Sequence, residues 1–105
     1  MSFVRLDYSA IFAEPISGDR VQAIRADIMR LPGLHDVGLG GHALGLRFAD
    51  RALRAQWSED VSVHVDRLGV GVSVYSAERD ERERLLFAIT CVLNDHGIDT
   101  ALVPL

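Results

Sequence analysis

The sequence has no lysine: all 11 of its basic residues are arginine, set against 15 Asp and Glu for a formal net charge of −4. The arginines are interleaved with carboxylates and form no basic face. Phosphate neutralisation, which supplies most non-specific affinity for nucleic acid, therefore has no footprint, and nucleic acid is not an expected ligand. An acidic balance suits a basic protein partner better, through steering and charge complementarity. Cysteine is nearly absent too. The single Cys91 excludes an internal disulfide framework and any zinc site built on cysteine pairs. A lone thiol fits a reducing compartment, so the expected location is the cytoplasm. Long apolar runs are missing. The longest, 85–93, contains Thr90 and falls far short of the ~20 residues that span a bilayer. Met1-Ser2-Phe3-Val4-Arg5 lacks the charged start and apolar run of an export signal.

What is present is ordinary for a folded domain. Hydrophobic residues are 49% of the chain and charged residues 25%, too apolar for disorder. A length of 105 residues is the common size of one domain and is sufficient for a continuous core. There is no repeat, linker or low-complexity tract, so residues 1–105 are read as a single domain.

Residues 3–12 alternate, with Val4, Leu6, Tyr8, Ala10 and Phe12 on one side and Arg5, Asp7 and Ser9 on the other. This is a strand with one buried face. Ser17 is a fitting N-cap for a helix over 18–31, whose stripe is Val21, Ile24, Ile28 and Leu31. Pro32-Gly33 closes it. Two short strands are expected at 34–39 and 42–48 around a Gly40-Gly41 turn, then a short helix or turn over 50–57. The clearest hairpin follows. Val61, Val63 and Val65 alternate with Ser62, His64 and Asp66, and Val70, Val72 and Val74 alternate with Gly71, Ser73 and Tyr75. Pairing Val65 with Val70 places all six valines on one face, because a one-residue slip would turn them into water. Ser76 is a candidate cap for a helix over 77–96. That helix has Glu78–Arg82 and Asp80–Arg84 spaced for i,i+4 pairs, a Leu85, Ile89, Val92, Leu93 stripe, and Gly97 as C-cap. A last strand is read at 101–103. The expected class is α+β, a two-layer α/β sandwich with both helices on one face of a mostly antiparallel sheet. The expected topology is a ferredoxin-like core extended by a hairpin.

Chemistry-bearing motifs are scarce. Gly38-Leu39-Gly40-Gly41-His42-Ala43 matches G-x-G-x-x-A in letters, but an alternating strand pattern follows where a dinucleotide site needs a helix. It reads as a glycine-rich turn, and no cofactor is expected. His64 and Asp66 share a face of one strand, and His42 is a candidate neighbour. Metal binding would need three or four convergent ligands and no such spacing occurs. Cys91 lies mid-helix in an apolar run, the setting of a small buried hydrophobe. No serine sits in a nucleophile elbow, so no catalytic residue is assigned.

The remaining candidates are surfaces. The hairpin face of Ser62, His64, Gly71, Ser73 and Tyr75 is either the solvated side of a one-faced sheet or a contact surface, since tyrosine suits interfaces. Trp57, followed by Ser58-Glu59-Asp60, is either an anchor for a basic partner or a plug at the end of the core. The Trp57–Asp60 segment leading into the valine hairpin (61–74), with a charged-then-apolar closing helix (77–96), resembles the layout of small bacterial toxin-immunity proteins. The resemblance implies a non-enzymatic inhibitor that neutralises a cognate basic toxin or enzyme. The expected partner-binding residues are Trp57, Glu59, Asp60, His64, Asp66 and Tyr75. The other class kept open is a homo-oligomeric ferredoxin-like domain that binds a small molecule, with an enzymatic role possible, in a pocket lined by His64 and Tyr75. A subunit of a larger assembly, betrayed by an uncovered apolar face, is the third.

Overall fold

A computed structural model of the protein describes residues 5–31, 34–36, 43–48, 61–75 and 79–105. Among these residues the elements run β1 (Arg5–Ile11), α1 (Gly18–Met29), β2 (Leu34–Asp36), β3 (Ala43–Phe48), β4 (Val61–Val65), β5 (Gly69–Tyr75), α2 (Arg79–Asp95) and β6 (Val103–Pro104). The fold is of the α+β class. The strands form one sheet in the order β2-β3-β4-β5-β1-β6, and each neighbouring pair is antiparallel.

The valine hairpin sets the sheet. Val65 pairs with Val70, Val63 with Val72 and Val61 with Val74, the register that parity demands. All six valines are 0–3% exposed. The turn is held by Asp66, whose carboxylate accepts from the backbone N–H groups of Leu68 at 2.7 Å and Gly69 at 2.9 Å, an Asx-type arrangement. β1 lies along the whole of β5, from Arg5 opposite Tyr75 to Ile11 opposite Gly69. On the far side of β4, Leu44 and Leu46 of β3 stand opposite Val63 and Val61.

Both helices bury into the valine face. Ser17 caps α1 by accepting the Arg20 N–H at 3.2 Å, and Val21, Ile24 and Ile28 are buried, with Leu31 packed beside them. α2 buries Leu85, Ile89, Val92 and Leu93. Gly97, at φ 78°, ends the helix in the left-handed conformation. Ile98 N–H donates to Leu93 C=O and Gly97 N–H to Asn94 C=O, the paired bonds of a Schellman cap. These helix residues form one cluster with the valines, Phe12, Ile16 and Ile98. At its edge, His96 Nε2 meets Asp27 Oδ2 at 2.7 Å and ties the end of α2 to α1.

Three expectations need correction. The last strand is Val103–Pro104, not 101–103. Val103 is the residue that reaches Ser9, and proline is tolerated because β6 is an edge strand. Cys91 is only half-buried, since ~100° per residue sets it on the flank of the stripe ending at Val92 and Leu93. Arg84 does not pair with the Asp80 carboxylate; its Nε donates to the Asp80 carbonyl, and an i,i+4 ion pair among the described residues is Arg79–Glu83 at 3.1 Å. The Gly40-Gly41 turn, His42, the element expected over 50–57, the Ser76 cap and the Glu78–Arg82 pair lie outside the described residues. Among those residues no helix is long and apolar enough to cross a membrane.

Candidate binding face on the open side of the sheet

The residues that alternate with the core positions make up the second face of the sheet. β1 contributes Arg5, Asp7, Ser9 and Ile11; β5 contributes Gly71, Ser73 and Tyr75; β4 contributes Ser62 and His64. Ladder pairing sets them in rows. Asp7 stands opposite Ser73 and Ser73 opposite Ser62; Ser9 stands opposite Gly71 and Gly71 opposite His64. Gly45 and Ala43 of β3 continue these rows opposite Ser62 and His64. Val103 of β6 lies opposite Ser9, and Leu105 N–H donates to Asp7 C=O at 2.9 Å, so the C-terminal segment extends the face past β1.

Two polar clusters mark its ends. At one, the Ser73 hydroxyl donates to Asp7 Oδ1 at 2.6 Å and Arg5 Nε donates to the same oxygen at 2.9 Å. Arg5 Nη2 reaches Ser73 Oγ at 3.4 Å, and the guanidinium carbon lies 5.8 Å from the Tyr75 ring centroid, within cation–π range. The Ser73 hydroxyl, and then the Arg5 guanidinium, hold the Asp7 carboxyl below the ordinary carboxylate range. The same carboxylate raises Arg5. At the other end, His64 Nε2 lies 3.3 Å from Asp66 Oδ2. The Leu68 N–H, with help from Gly69 and His64, pulls the Asp66 carboxyl down. Both carboxylates are therefore ionised and already hold hydrogen-bond donors, which suits them to fixing local structure and makes them weak proton acceptors.

The structure joins some of the expected partner-binding residues and separates others. His64 and Asp66 are neighbours. Tyr75 stands four residues along β5 from Gly71, the ladder partner of His64, a span of about 14 Å at ~3.4 Å per residue. His64 and Tyr75 thus occupy opposite ends of the face. Trp57, Glu59 and Asp60 lie outside the described residues. Their chain leads directly into Val61, opposite Val74. No group of three or more His, Cys, Asp or Glu side chains among the described residues could hold a metal ion.

Sequence reasoning missed the apolar margin. Ile11 is 80% exposed, Leu68 64%, Val103 54% and Leu105 85%. These are four of the six large hydrophobic side chains exposed among the described residues. They are strung along one margin of the sheet: Leu68 in the β4–β5 turn, Ile11 at the end of β1, Val103 opposite Ser9 and Leu105 beside Asp7. One signal was present in the sequence: Ile11 carries an apolar side chain into the row of Arg5, Asp7 and Ser9. Comparison of the chain with protein-family models, with curated proteins and with solved structures finds no match in any of the three.

Proposed function

We propose that the protein is a non-enzymatic, protein-binding domain whose contact surface is the open face of its sheet. The observation that carries this reading is the row of exposed apolar residues Leu68, Ile11, Val103 and Leu105 along one margin of that face, next to small residues such as Ser9. Contiguous exposed apolar surface rimmed by polar groups marks interaction sites. The engaged state of Asp7 and Asp66 supports a structural role for the polar clusters over a proton-transfer role. A small-molecule pocket lined by His64 and Tyr75 receives less support, because those residues stand at opposite ends of the face. The topology is read as a ferredoxin-like core: β4-β5-β1-β6 with α1 after β1 and α2 after β5, extended by the β2–β3 hairpin. Within the protein-binding class, the narrower reading is an inhibitor or immunity protein for a basic toxin or enzyme, acting in a reducing cytoplasm. The Trp57, Glu59 and Asp60 segment would then supply the acidic and aromatic contacts.

The test is affinity capture of the tagged protein from its source cells, read by native mass spectrometry, in parallel with Ile11→Asp/Val103→Asp. A stoichiometric complex with protein that the double variant loses is the expected result. A small-molecule adduct on the chain with no bound protein would overturn the reading.

A further inference from the structure

We propose that the molecule covering this face is a second copy of the same chain, related by a two-fold axis in the plane of the face. The inference rests on reading the open face as a protein contact surface, and it names the partner. A two-fold interface must be self-complementary, with residue i meeting j and j meeting i. The face carries matched features at suitable places. Its apolar residues run along one margin: Ile11 opposite Gly69, Val103 opposite Ser9, and Leu105 beside Asp7. Its charged groups sit at opposite ends, Arg5 with its partner Asp7 at the start of β1 and Asp66 beside His64 just past β4. Gly71 lies on the same face, and a Cβ there would meet nothing within 4 Å, so the centre is open to an approaching side chain.

With strands about 4.8 Å apart and residues ~3.4 Å apart along each strand, these positions fix a pairing. Turn a second copy so that its Arg5 end lies over the first copy's Asp66 end. Ile11 of each copy then falls over Leu105 of the other, and Val103 falls over its own counterpart. One rotation brings each Arg5 near the Asp66 of the other copy and aligns the apolar margin. The rim charges set orientation and association rate more than affinity. Edge-to-edge growth of the sheet at β6 is a weaker alternative, because that strand has only two residues and one is Pro104, which has no N–H to donate. The paired strand segments give a flat footprint of roughly 500 Å², below the ~800 Å² per partner of a standard stable interface. The dimer therefore falls at the small, concentration-dependent end of protein interfaces.

The experiment uses the position expected to lie on the axis. Val103→Cys in a Cys91→Ala background, incubated in an oxidised glutathione buffer, should form a disulfide-linked dimer at least tenfold faster than Phe87→Cys in the same background. Phe87 is also exposed but lies on α2, away from the face. Sedimentation of the wild-type chain should show a dimer fraction rising with concentration and abolished by Val103→Asp. That substitution is at an exposed edge residue, and circular dichroism checks its fold. Cross-linking no faster than Phe87→Cys, with a monomer at every concentration up to the millimolar range, would overturn the second-copy inference. If the monomer nevertheless captures a different protein, and Ile11→Asp/Val103→Asp abolishes that capture, the second copy is excluded and the face remains a protein contact surface. If capture is also unaffected by those substitutions, the reading of the face itself fails.

Discussion

The two faces of the β4–β5 hairpin are built from alternate residues of the same strands and behave differently. On one, six valines are sealed against both helices. On the other, Ser62, Gly71 and Ser73 are half-buried and His64 is exposed. Strand geometry gives each face the same backbone, so side-chain chemistry alone separates them. β-branched residues fill the helix-facing side, where rigid χ1 and apolar volume suit close packing. Small hydroxyl residues and glycine leave the other side shallow. Depth of burial fixes register and stability; the shallow side tolerates change and is free to make contacts.

The sharpest break of this contrast is a substitution on each face in turn. Val63→Asp would bury an unpaired carboxylate at a 0% exposed position and should cost several kcal/mol, enough to unfold a domain of ordinary stability. The adjacent Ser62→Ala should shift the denaturant midpoint by no more than about 0.5 kcal/mol equivalent. The two glycines of β5 come next. A Cβ on Gly69 would sit 2.5 Å from the Ala10 carbonyl oxygen, so Gly69→Ala should destabilise by about 1–3 kcal/mol. Gly71→Ala, with open space around it, should be neutral or slightly stabilising. Thermal melting of the pair tests this directly. Gly97→Ala forces a side chain into the left-handed conformation at φ 78° and should cost about 1 kcal/mol.

The smallest effect concerns pH. Asp7 and Asp66 both have folded-state pKa values lowered by hydrogen bonds. A lowered folded value means the stabilisation is fully present above the unfolded value of about 3.9 and lost as pH falls through the folded value. Stability should therefore decline on the acid side of pH ~4. Asp66→Asn should flatten part of that decline, and Asp7→Asn another part. A stability profile from pH 5 to pH 2 that is identical in wild type and both variants would contradict the assignment of these carboxylates.

The contrast between faces also explains which parts of the molecule were legible in the sequence. Where one side of an element is sealed, periodicity is strict, and the valine register, the Leu85/Ile89/Val92/Leu93 stripe and the Gly97 cap follow from it. The α1 stripe with Ser17 as cap is legible for the same reason. The open face obeys no such constraint. Its character depends on which strands become neighbours, and Asp7 meets Ser73 only because β1 pairs with β5, 66 residues away in sequence. The bonds between Ile16 and Arg67, backbone to backbone at 2.9 Å and from Arg67 Nε to the Ile16 carbonyl at 2.8 Å, are hidden for the same reason. Short edge strands such as β6 carry too few residues for a period to register. The margin of Ile11, Leu68, Val103 and Leu105 is assembled from three separate segments, so no local pattern announces it.

Hydroxyl-radical footprinting of the assembled protein, against the chain diluted to monomer or stripped of its partner, tests the role of the open face most directly. Ile11, Leu68, Val103 and Leu105 should lose reactivity on assembly, while Phe87 and Met29, exposed on the helices, should keep theirs. Protection centred on Phe87 and Met29, with the open-face residues unchanged, would contradict it and move the contact surface to the helical side.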